Sequence, residues 1–101
     1  MIIFVDIDET ICNTPENRNY GESTPIKENI EKINKLYDEG NTIVYWTARG
    51  SGSGKDWHEL TGKQLKEWGA KHTRYAVGKP MYDLFICDKA INSEKFFNEE
   101  A

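Results

Sequence analysis

Two aspartates, Asp6 and Asp8, lie two residues apart where an apolar run, Ile2 to Val5, gives way to Glu9-Thr10. A continuous β-branched and aromatic run reads as a parallel-sheet strand, and open α/β sheets bind ligands at the carboxyl ends of their strands. If the strand persists, alternation puts both carboxylates on one side of the chain, close enough to share a divalent cation. One carboxylate could then attack phosphorus while the other moves a proton. Asp is also common where strands turn, so the pair alone is a weak motif. Its weight depends on what stands at the other strand ends.

The elements that must position this pair alternate in period along the chain. Residues 12–23 are polar, with Pro15, Gly21 and three asparagines, and read as a loop over the aspartate edge. Thr24 offers an N-cap with Pro25 at the first helical position, and Ile26, Ile30, Ile33, Leu36 and Tyr37 follow at helical spacing as far as Gly40. Thr42 to Trp46 is again strand-like and ends in Thr47-Ala48-Arg49-Gly50. Asp56 with Glu59 forms a capping-box pattern before a second amphipathic helix carrying Trp57, Leu60, Leu65 and Trp68. Tyr75 to Val77 reads as a third strand, Leu84 to Cys87 as a fourth ending at Asp88, and residues 93–98 as a last helix. This alternation predicts one α/β domain over residues 1–101, a three-layer Rossmann-like core with a four-stranded parallel sheet.

At 101 residues the chain has room for one domain and none for a separate cap domain. A net charge of −4 disfavours a general nucleic-acid surface, which needs a basic face. No stretch has the apolar length of a membrane span, and Met1 leads into the first strand without the basic flank of a signal peptide, so a cytoplasmic protein is expected. Cys12 and Cys87 have no scaffold or zinc spacing and are expected to be reduced thiols. The Gly50 to Lys55 loop fails as a phosphate-binding P-loop, because Asp56 follows Lys55 and the first glycine would fall on Arg49.

The polar residues ending these segments form a set of Asp6, Asp8, Thr47, Lys79 and Asp88. Asp6-x-Asp8-x-Thr10, Thr47 after Ile43-Val44-Tyr45-Trp46, Lys79 in Gly78-Lys79-Pro80, and Asp88 after Leu84-Phe85-Ile86 resemble the four motifs of haloacid dehalogenase superfamily phosphatases. The match runs almost end to end. Through Tyr45-Trp46-Thr47-Ala48-Arg49-Gly50 and Asp88-Lys89-Ala90-Ile91-Asn92 it is similar to the small capless members described as capsule or polysaccharide biosynthesis phosphatases. The resemblance implies a sheet order of 3-2-1-4 and a Mg2+-dependent phosphomonoester hydrolase. Asp6 would be the nucleophile that becomes an aspartyl phosphate, and Asp8 the acid and base. Thr47 and Lys79 would hold the transferring oxygens. Ala48 and Arg49 would help bind substrate, with a surface ion pair the alternative for Arg49. Asp6, Asp8 through its carbonyl, and Asp88 would hold the Mg2+.

One departure bears on the metal. The family pattern places a second aspartate before Asp88, where this chain has Cys87, a poor ligand for Mg2+. The implied substrate is a sugar phosphate or related small biosynthetic phosphate. An open site also admits a nucleotide or a nucleic-acid 3′-phosphate end, and capless relatives often shield the site with a neighbour, which allows a homo-oligomer. Two readings of other classes stand beside it. Receiver-type phosphoacceptor modules gather similar residues, but their phosphorylated Asp ends the third strand, and Tyr75-Ala76-Val77 ends without one. A catalytically weak phosphate-binding protein is the other, motivated by Cys87.

Overall fold

The runs Ile2–Val5 and Thr42–Trp46 form strands β1 and β4 at the residues their β-branched and aromatic composition marks. The computed structural model describes residues 1–98, and residues 99–101 of the expected domain lie outside them. Between β1 and β4 come the short strands β2 (Cys12–Asn13) and β3 (Thr24–Pro25), a 3-10 turn at Tyr20–Glu22, and helix α1 (Lys27–Asp38). Helix α2 (His58–Glu67), strand β5 (Arg74–Ala76) and helix α3 (Ser93–Asn98) follow.

Strands β1, β4 and β5 make a parallel sheet in that spatial order. Its register pairs Val5 with Tyr45 and Trp46 with Ala76, so the three strands end level with one another. Strands β2 and β3 form a separate antiparallel pair. Beneath the sheet ends, Val5, Ile7, Ile11, Ile43 and Tyr45 pack with Ile30 and Ile33 of α1 and Leu65 of α2. Each such aliphatic burial is worth roughly 1.5–3 kcal/mol.

The structure overturns the four-stranded sheet of order 3-2-1-4. Residues 84–87 are not a strand: Leu84 is 75%, Phe85 55% and Ile86 89% exposed. The connection explains why. A parallel strand on the free edge of β1 needs a crossover of a dozen or more residues. The Lys79 amide is bonded to the Thr47 carbonyl at 3.0 Å, which ties the chain to the carboxyl edge of the sheet. Only residues 80–83 remain for the return. The observed core is a three-stranded parallel sheet with a two-stranded antiparallel pair beside it.

Helix starts also shift. Thr24 and Pro25 do not cap α1. They pair with Asn13 and Cys12, and Ile26 occupies the N-cap position without a side-chain hydrogen bond. Asp56 accepts the His58 amide at 3.0 Å, one residue ahead of the Trp57 N-cap of α2. No helix among the described residues is long and apolar enough to cross a membrane.

Candidate active site

The level strand ends bring most of the marked residues to one edge. Asp6 follows β1 directly, Thr47 follows β4, and Lys79 follows β5 by three residues. The Thr47 amide bonds the Ala76 carbonyl at 3.1 Å and its carbonyl takes the Lys79 amide, so Thr47 joins the second and third strand ends. Its Oγ1 accepts the Arg49 amide at 3.2 Å, and the residue is buried at the strand end. Ala48 is half-buried, and its carbonyl takes the Ser51 amide at 2.9 Å.

Lys79 Nζ stands 3.5 Å from Asp6 Oδ1. Burial pushes the Asp6 carboxyl above its ordinary value of 3.8, and the Asp8 charge adds to this, although Lys79 and the Ile7 amide pull the other way. The Asp6 side chain keeps 41% exposure, enough for a phosphate to approach. Lys79 also lies 5.4 Å from the centre of the Tyr82 ring.

Asp8 sits in a tight turn. The Thr10 and Ile11 amides both return to the Ile7 carbonyl, and Glu9 adopts a left-handed φ of 60°. With Ile7 and Ile11 fully buried on either side, the turn fixes the Asp8 backbone. Its carboxylate meets Arg49 Nη2 at 2.9 Å and Nε at 3.1 Å, and also accepts the Thr14 hydroxyl at 2.5 Å. Burial raises the Asp8 pKa, but hydrogen bonds from Arg49 and Thr14 outweigh it, and the carboxyl ends below 3.8.

Arg49 is neither a surface ion pair nor open to substrate. Its side chain is wholly inaccessible, and Nη1 donates to Thr61 Oγ1 at 3.2 Å and Gln64 Oε1 at 2.6 Å on α2. The guanidinium lies 4.7 Å from the centre of the Tyr20 ring, and Gln64 Nε2 returns to the Tyr20 carbonyl at 2.6 Å. Sequence reasoning missed Thr14, Thr61 and Gln64. For Thr61 and Gln64 the signal was polarity on a helix face, since they share with Leu65 the i, i+3, i+4 face of α2 that packs inward; Thr14, in the loop after β2, carried none.

Asp88 is not brought to this edge. It lies in the exposed stretch 81–92, beside the exposed Cys87 at 3.8 Å. Cys12 is buried and hydrogen-bonded toward Asp8, with its thiol pushed up to about 11 by burial, so the two cysteines are far apart in environment and both free. Among the described residues no three His, Cys, Asp or Glu side chains gather to hold a metal. The donors at the β1 end still suit Mg2+, which is commonly held by one or two carboxylates with waters and substrate phosphate completing its octahedron. The exposed Asp6 carboxylate can serve in this way. The Asp8 carboxylate is engaged by Arg49, so only its main-chain carbonyl is open to the role.

The loop after Arg49 depends on Gly50. Its φ is 82°, and a Cβ there would run into the Lys55 carbonyl. Gly54 N bonds the Gly50 carbonyl at 2.8 Å, and Ser51 Oγ bonds the Lys79 carbonyl at 2.7 Å, so this turn also steadies Lys79. Gly50→Ala is expected to cost about 1–3 kcal/mol, read as a lower urea midpoint with an unchanged m-value.

No family model and no curated protein sequence matches this chain. It is similar to a crystal structure of a target protein from Vibrio cholerae, with a TM-score of 0.81, 23% identity, and coverage of 96% of this chain and 87% of that one. At that identity the likeness shows a shared fold.

Proposed function

We propose that the protein is a phosphomonoester hydrolase of the haloacid dehalogenase phosphatase type, acting on a small phosphate such as a sugar phosphate. The observation that carries this reading is the Lys79 ammonium 3.5 Å from the Asp6 carboxylate, with Asp8 two residues on and Thr47 on the adjoining strand end. Asp6 attacks phosphorus as the ester P–O bond breaks, and Asp8 gives the departing oxygen its proton. Asp8 then takes a proton from water, which attacks the phosphorus of the aspartyl phosphate and restores Asp6. Lys79 and the Thr47 hydroxyl offer donors to the equatorial oxygens, where phosphoryl transfer gains most of its stabilisation. Mg2+ held by Asp6 and the Asp8 carbonyl would screen Asp6 from the substrate dianion and polarise a phosphoryl oxygen.

A second reading, phosphate binding without turnover, is favoured by Asp88 lying on the exposed 81–92 stretch rather than at the strand ends. Phosphate release from phenyl phosphate and from a panel of sugar and nucleotide phosphates, with Mg2+ and with EDTA, separates the two. Metal-dependent turnover is expected, and Lys79→Met should lower kcat by about 10²–10³-fold, the usual loss for one transition-state donor. Saturable phosphate binding with no release from any ester would sustain the second reading instead.

A further inference from the structure

The two oxygens of Asp8 are not equivalent. Oδ1 accepts Arg49 Nη2 at 2.9 Å, the Thr14 hydroxyl at 2.5 Å and the Cys12 thiol at 3.6 Å. Among the described residues Oδ2 accepts one donor, Arg49 Nε at 3.1 Å, whose proton is shared with Oδ1 at 3.3 Å. An aspartate carboxylate turns freely about its last torsion unless something holds it, and here a rigid fork does. The fork is itself held, because Nη1 is committed to Thr61 and Gln64, and Gln64 is pinned to the Tyr20 carbonyl. The guanidinium has no accessible surface through which a substrate could reach it.

Resting on the hydrolase reading, we infer that Arg49 is a positioning residue: braced by Thr61 and Gln64, it joins Thr14 in fixing the plane of the Asp8 carboxylate and leaves Oδ2, with one shared donor against the several on Oδ1, as the oxygen that exchanges protons. In each cycle Oδ2 takes a proton from the water that hydrolyses the aspartyl phosphate and passes a proton to the leaving oxygen as the ester P–O bond breaks toward that oxygen, so the carboxylate is restored. A lysine at position 49 keeps the charge but offers no planar fork, so it leaves Asp8 ionisable and poorly aimed.

Aimed protonation matters most for a leaving group that is a strong base, which supplies the test. Since kcat/KM reports the steps up to aspartyl-phosphate formation, Arg49→Lys is compared with the unaltered protein on an alkyl sugar phosphate and on p-nitrophenyl phosphate, with folding checked by circular dichroism. The expected loss is about 10²-fold on the alkyl ester and under about 5-fold on the aryl ester, with KM nearly unchanged. If Arg49→Lys does not fold, Thr61→Val carries the test: it removes one of the two braces on Arg49 Nη1 without altering any residue that touches Asp8, and the loosened fork should give the same selective loss at about 3–10-fold. Equal losses on both esters in a folded variant would overturn the positioning role while leaving the hydrolase reading intact. A protein that hydrolyses neither ester overturns both.

Discussion

Asp6→Asn is expected to reduce turnover of every phosphomonoester by more than about 10³-fold while leaving the fold intact, because it replaces the carboxylate that attacks phosphorus with a neutral, weakly nucleophilic amide. The loss should fall on kcat, since Lys79 and Thr47 still receive the phosphate. Stability should move the other way from activity. The Asp6 carboxyl is raised by burial, so its charged form is disfavoured in the folded state. An acid raised on folding is neutral and costs nothing below its unfolded value of 3.8, and it weighs against folding above its folded value. Asp6→Asn is therefore expected to melt at or above the temperature of the unaltered protein at pH 7, offset in part by the lost Lys79 contact. Thermal melts beside steady-state assays check both halves. A variant that loses activity by unfolding would not support the nucleophile role.

Arg49→Met is expected to destabilise the protein by about 3–5 kcal/mol, a large share of the roughly 5–15 kcal/mol typical of a domain this size. The guanidinium is wholly inaccessible and the Asp8 side chain only 15% exposed, so removing one partner strands the other, together with Thr61 Oγ1 and Gln64 Oε1. The sign with pH follows from Asp8. Its folded-state pKa is depressed, so its contribution to stability is present above the unfolded value of 3.8 and is lost as pH falls through the lower folded value. The gap between the unaltered protein and Arg49→Met, measured by urea unfolding, should be full from pH 5 to 7 and narrow below 3.8. A gap that stays constant to pH 2 would place the loss in packing rather than in the ion pair.

Residue types marked some parts of this molecule well and others poorly, for identifiable reasons. Strands β1 and β4 stand where their β-branched runs lie, because these runs are also joined by a connection through α1 long enough for parallel pairing. The run 84–87 has the same composition and forms no strand, because joining the sheet depends on connection length and on the Lys79–Thr47 tether, neither of which local composition contains. Thr24-Pro25 matched a helix start but is claimed by pairing with Cys12-Asn13. At the site, the closeness of Asp6, Thr47 and Lys79 follows from parallel strands ending level. Asp88 inherited its expected place from the fourth strand and lies on the exposed stretch with it. Arg49 could not be assigned from its own neighbours, since what buries it comes from α2, twelve and fifteen residues away at Thr61 and Gln64.

Hydrolysis at this edge proceeds, on the proposed reading, through a covalent bond between Asp6 and phosphorus. Quenching the protein during turnover of phenyl phosphate, reducing with borohydride and mapping peptides by mass spectrometry detects that bond, because an aspartyl phosphate is reduced to homoserine whereas a free carboxylate is untouched. Homoserine at position 6, absent without substrate and absent in Asp6→Asn, is the predicted result. Sustained turnover with position 6 unreduced, or reduction at Asp8 or Asp88 instead, would contradict it.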